Sequence, residues 1–112
     1  MLQIETPPKN DLIGAKKQMI KRLVLDVLKP HVPTTIELAD VLGSLPGVSG
    51  VNLSLYEVDQ QTETIKATIV GEDIDYDLIS SRIRDFGGVI HSVDEVVAGK
   101  MIVSEFETLQ ER

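Results

Sequence analysis

The 112-residue chain contains no cysteine and no tryptophan, and only 2 tyrosines and 2 phenylalanines. Without cysteine it has no disulfide, no thiol nucleophile and no thiolate metal site. That fits a reducing compartment, and the expected location is cytoplasmic. Scarce aromatic rings leave little on which nucleobases or sugars could stack. Bases are also in short supply: 11 Lys and Arg stand against 18 Asp and Glu, a net charge of −7. Nucleic acids and anionic membranes both attract basic patches, so neither is an expected partner. No apolar run approaches the ~20 residues of a membrane-crossing helix. The early segment Thr6-Pro7-Pro8-Lys9-Asn10-Asp11 is polar and broken by proline, unlike the apolar stretch of a secretory signal. What is present suffices for one domain. A chain of this length buries roughly two-thirds of its unfolded surface and needs no staple.

The most apolar stretch is Lys21-Arg22-Leu23-Val24-Leu25-Asp26-Val27-Leu28-Lys29-Pro30-His31. Leu23, Leu25 and Val27 alternate with the mixed set Arg22, Val24, Asp26 and Leu28, as in a central strand. Pro30 has no N–H and stops the ladder. Thr34 and Glu37 have the spacing of a capping box, so a helix begins there, with Ile36, Ala39, Val41, Leu42 and Leu45 as its apolar stripe. Gly43 is the expected C-terminal cap, and Pro46 and Gly47 prevent continuation. Val51, Leu53 and Leu55 then alternate with Asn52, Ser54, Tyr56 and Val58. After the polar turn 59–63, Ile65, Ala67 and Ile69 alternate with Lys66, Thr68 and Val70, which completes a hairpin. A second helix starts at Asp75, with Ile74 and Ile79 at staple spacing and Leu78, Ile79, Ile83 and Phe86 inward. Gly87 and Gly88 end it. Val89 to Val97 is a fourth strand, with Lys100 to Phe106 as its continuation or an extra edge strand.

Strand, helix, strand, strand, helix, strand is the α+β ferredoxin-like βαββαβ sandwich: a four-stranded antiparallel sheet with two helices on one face. Sheet order 4-1-3-2 makes the first strand central. The domain is expected over residues 19–106, with 1–18 an N-terminal extension and 107–112 a C-terminal tail. Val24, Leu28, Tyr56, Val58 and Val70 would lie on the outer sheet face, which two helices cannot cover. Such a face, or the edge strands, would join copies of this chain into a homo-oligomer.

Three segments carry a resemblance: Arg22 to His31, Leu45-Pro46-Gly47-Val48-Ser49-Gly50-Val51-Asn52, and Gly87 to Gly99. Together they resemble an archaeal uncharacterised family, domain of unknown function number 211, over about Ile20 to Lys100. The resemblance implies a ferredoxin-like fold, ring-like homo-oligomers and binding of a divalent cation such as calcium. It brings no reaction and no catalytic residues. It also makes Met19 the family-like start.

Three groups of residues could carry chemistry. Asp26, Asp94 and Glu95 come first. If the first and fourth strands are neighbours, Ile90, Ser92, Asp94 and Val96 share the outer face with Asp26, and two close carboxylates invite a cation. The competing reading pairs Asp26 with Arg22 or Lys66. Second are Asp73, Asp75 and Asp77. Their alternation superficially suggests a calcium loop, but positions 6 and 12 of that pattern would be Leu78 and Arg84, so the motif fails. Capping and the helix dipole explain acids at this place. Third are His31 and His91, at strand ends that approach in an antiparallel pair, where they could form a metal or acid–base site. No His-x-x-x-His or Glu-x-x-His spacing accompanies them. Gly43, Gly47 and Gly50 follow a helix instead of preceding one, so they make no phosphate loop. The leading expectation is a non-enzymatic homo-oligomer that binds a divalent cation or small ligand. The alternatives are a metal- or His-dependent enzyme and a purely structural homo-oligomer.

Overall fold

The computed structural model of the protein describes residues 18–103. Six elements follow in order: β1 (Ile20–Pro30), α1 (Thr35–Gly43), β2 (Val48–Val58), β3 (Thr62–Ile74), α2 (Tyr76–Asp85) and β4 (Val89–Ala98). The four strands form one antiparallel sheet in the order β2-β3-β1-β4. That is the ferredoxin-like plan, with β1 central as its alternation required. Gln18, placed in the extension by sequence, is tied to the domain: its side-chain Oε1 accepts from the Tyr76 N–H at 3.0 Å.

Local chemistry fixes both helix starts. The Thr34 side chain accepts from the Glu37 N–H at 3.2 Å, and the Glu37 carboxylate accepts from the Thr34 N–H at 2.8 Å. Two orphan amides are thus satisfied reciprocally. Asp75 caps α2 by accepting from the N–H groups of Asp77 and Leu78, while Ile74 and Ile79 are both buried beside it. At the far end of α2 the Gly87 N–H reaches Arg84 O and the Gly88 N–H reaches Ile83 O, with Gly87 at φ 78°. This is the Schellman arrangement that a glycine at that position permits.

The core lies between the helices and the sheet. Leu23, Leu25 and Val27 of β1 meet Ala67 and Ile69 of β3, Leu38 and Leu42 of α1, and Ile79 and Ile83 of α2. On α1 the expected stripe shifts. Ile36 is 75 % exposed and Leu38 is 1 % exposed. Leu38 and Leu42, four apart, define the buried line, and Ile36 falls off it. Gly43 is the last helical residue and Ser44 the cap. Residues 100–103 form no strand; the rest of the expected extension to Phe106, and the expected tail, lie outside the described residues.

The sheet outruns its helices. With 9 residues in α1 and 10 in α2, the helices are each about 15 Å long. Strands of 10 to 13 residues reach roughly 33–43 Å.

Candidate functional site

Cross-strand register sorts the helix-side face into rows. One row is Leu55–Ile65–Val27–Ile90, the next Leu53–Ala67–Leu25–Val93, the next Val51–Ile69–Leu23–Val96. Their central members are buried, but the ends are not: Leu55, Val93 and Val96 are exposed, and so is Val58, which pairs with Glu63. The two short helices do not reach these positions. Among the described residues, both edges of the sheet therefore show aliphatic side chains on the same face, next to strand edges without a hydrogen-bonding neighbour. Neither β2 nor β4 contains the lysine or proline that commonly guards an edge.

The outer face differs from expectation. Val58 is register-paired with Glu63, itself opposite Lys29 on the helix side. The pairing skips Tyr56, a bulge residue whose ring lies 5.8 Å from Lys66 Nζ. Val24 is buried. Across from Asp26, Val24 and Leu28 stand Lys66, Thr68 and Thr64, so the outer face is mostly polar. Leu28 and Val70 are exposed on the outer face as expected, with Val89 beside Leu28, and the helix-side edges add Leu55, Val58, Val93 and Val96.

A polar cluster closes one end of the helix-side face. Lys29 continues the inward series Leu23, Leu25, Val27, and its side chain is fully buried. Its ammonium donates to Pro30 O at 2.7 Å and to Glu63 Oε1 at 3.3 Å. Glu63 Oε1 also accepts from the Thr35 hydroxyl at 3.2 Å, and Oε2 meets His31 Nδ1 at 2.9 Å. The other ring nitrogen of His31 lies 2.9 Å from Asp59 O and 3.1 Å from Gln60 O. The hydrogen bond from His31 is the main cause that holds the Glu63 carboxyl below its ordinary value, with Lys29 and Thr35 adding to it. The same bond raises His31, helped by the two carbonyls. Beside them, the Thr34 amide and hydroxyl hold Glu37 low.

The sequence candidates are dispersed. Asp26 faces Lys66 on one side and Ser92 on the other. Ile90 and Val96, expected to share its face, are in the helix-side rows. Asp94 is skipped by the register and accepts from the Ser92 hydroxyl at 2.7 Å. Glu95 pairs with Arg22 Nε at 2.8 Å, which takes Arg22 away from Asp26. Asp75 is the α2 cap, and Asp73 has its backbone in the left-handed region at φ 52°, a conformation Asp tolerates better than most residues. His91 is skipped by the register between Asp26 and Val27. His31 lies four residues beyond Val27, roughly 13 Å along the strand, and its two nitrogens are engaged with Glu63 and the turn. The histidines do not converge. Among the described residues no group of three or more His, Asp or Glu is gathered as metal ligands.

Lys29 and Glu63 escaped the sequence reading. By sequence the first reads as the polar end of a strand and the second as part of the turn. The signal was present: Lys29 has the parity of Leu23, Leu25 and Val27, so its ammonium had to find an acid on the same face.

Comparison with known proteins identifies the family. The model of the domain of unknown function 211 family, described as an uncharacterized ArCR, matches residues 21–112. An uncharacterized protein of Methanocaldococcus jannaschii, MJ0319, is 50 % identical over 93 residues, covering 83 % of this chain and 96 % of that relative. The chain belongs to this family. No helix among the described residues is long and apolar enough to cross a membrane.

Proposed function

We propose that this member of the family is a self-assembling, non-catalytic protein in which β2 of one copy pairs with β4 of the next. One observation carries the reading: among the described residues both edges of the sheet are unpaired, and both expose aliphatic residues on the face that the helices leave uncovered. An edge strand offers a row of free N–H and C=O groups to another strand. Joining β2 to β4 would place Leu55 and Val58 of one copy beside Val93 and Val96 of the next. The exposed ends of the rows would then become interior. Such a joint uses different surfaces on its two sides, so it propagates, and it closes into a ring when the rotation per copy allows.

A divalent cation such as calcium belongs to the same reading, at the joint. Calcium takes about six to eight oxygens, and no single copy gathers ligands among its described residues. Glu57 on β2 and Asp94 on β4, both exposed, would be brought close together across the joint. Like charges so placed repel unless a cation lies between them. The lack of cysteine supports a cytoplasmic setting.

Edge variants test the joint and its polarity. Leu55→Lys and Val93→Lys change exposed positions, so each folds, as circular dichroism would verify. Each alone should yield monomers by light scattering. An equimolar mixture should form a dimer only, because one variant retains a sound β4 and the other a sound β2. Unchanged assembly in both variants would refute the β2–β4 joint. Assembly lost in only one of them would point to a like-with-like interface.

A further inference from the structure

We infer that His31 is a pH-dependent latch that, when protonated, fastens the β2–β3 turn to the end of β1. The inference needs one copy only and stands apart from the assembly reading. It rests on what faces the two ring nitrogens. Nδ1 meets a carboxylate oxygen of Glu63, and Nε2 meets the carbonyl oxygens of Asp59 and Gln60. All three partners are acceptors. A neutral imidazole carries one N–H and one lone pair, whereas an imidazolium carries two N–H groups. Only the charged ring can donate in both directions. In the neutral ring, one nitrogen must turn its lone pair towards an acceptor, and that contact becomes repulsive.

Which side yields follows from the neighbours. Glu63 on β3 is held from two further sides, by Lys29 of β1 and by Thr35 of α1. Lys29 also feels the carboxylate of Glu37 on α1. The Lys29 charge and the Thr35 hydroxyl keep Glu63 ionised and fixed, so the neutral ring retains its proton on Nδ1. Nε2 then opposes the two turn carbonyls. The turn has its own closure, the Asp59 N–H to Thr62 O bond at 2.8 Å, so the hairpin persists while its tie to β1 is lost. The ring is 36 % exposed, so protons reach it without unfolding. The direction of its shift agrees: hydrogen bonding to Glu63 raises His31 above the ordinary imidazole value of 6.5.

Proton and carbon NMR of the full chain decides the matter. His31 should titrate with a midpoint above 6.5. The carbonyl ¹³C shifts of Asp59 and Gln60 should move with that same midpoint. In His31→Gln the pH-dependent movement of both carbonyls should vanish while the spectrum remains that of the folded protein. In Glu63→Gln the His31 midpoint should fall. A His31 midpoint at or below the ordinary value would overturn the latch. So would carbonyl shifts that ignore the ring's titration.

Discussion

Glu63→Ala is expected to destabilise the protein by about 3 kcal/mol, the lower end of what breaking a buried ion pair costs. The reason is the partner left behind. Lys29 has a fully buried side chain, and without Glu63 its ammonium retains only Pro30 O, a neutral acceptor. An unpaired buried charge is among the few causes of single-site effects this large. The converse change, Lys29→Met, should cost much less, about 1 kcal/mol. Methionine fills the slot with similar volume, and Glu63, which is 16 % exposed, retains His31 and Thr35. Urea denaturation at one protomer concentration measures both. Equal losses in the two variants would contradict the asymmetry. The cluster also predicts a pH profile. Glu63 titrates lower in the folded chain, so its contribution is present above the ordinary value of 4.5 and is lost as pH falls through its folded value. His31 titrates higher in the folded chain, so its contribution is complete below 6.5 and is lost as pH rises through its folded value. The cluster therefore stabilises most between those two ordinary values.

Gly71→Ala should be as damaging, about 3 kcal/mol or more, through overpacking against backbone. A Cβ on Gly71 would lie 1.9 Å from Gly47 O and 2.9 Å from Gly47 C. The same carbonyl accepts from the Glu72 N–H at 2.8 Å, so it cannot retreat without breaking that bond. Gly47 is fixed in turn by its φ of 84° and by the Glu72 carbonyl, 2.6 Å from where its own Cβ would be. The contact joins the end of the α1–β2 connection to β3, and the start of β2 depends on it. A fall in melting temperature of about 15 °C is expected for a domain of this size. Gly50→Ala is the control, because a Cβ there has open space. A melting temperature for Gly71→Ala within a few degrees of that control would show that the loop can give way.

Much of this architecture is legible in the chain because local signals agree with one another. The alternation of Leu23, Leu25 and Val27 marks the central strand. Thr34 with Glu37, and Ile74 with Ile79, mark where the helices begin. Asp75 reads correctly as the cap of α2. The misplacements share one physical cause. Period-two counting assigns a face by parity, and a bulge adds one residue and reverses the parity beyond it. The register shift at Tyr56 moves Val58 to the helix side, and the shifts at His91 and Asp94 move Ile90 and Val96 there too, while Ser92 stays opposite Asp26. A bulge has no strong signature in a single sequence, so parity keeps Val24, Leu28 and Val70 on the outer face correctly and misplaces Val58. The Lys29–Glu63 pair was missed for a related reason. It depends on the β1–β3 register, and those strands are distant in sequence.

The central claim is that copies of this chain join through the edges of their sheets. Native mass spectrometry of the untagged protein, with calcium and after chelation, addresses it directly. The account predicts one discrete closed oligomer, with cation mass gained in whole numbers per joint and looser association once the cation is removed. Oligomers indifferent to chelation would retain the joint and remove the cation from it. A monomer under both conditions would contradict the account, and the exposed row ends at Leu55, Val93 and Val96 would then need another explanation.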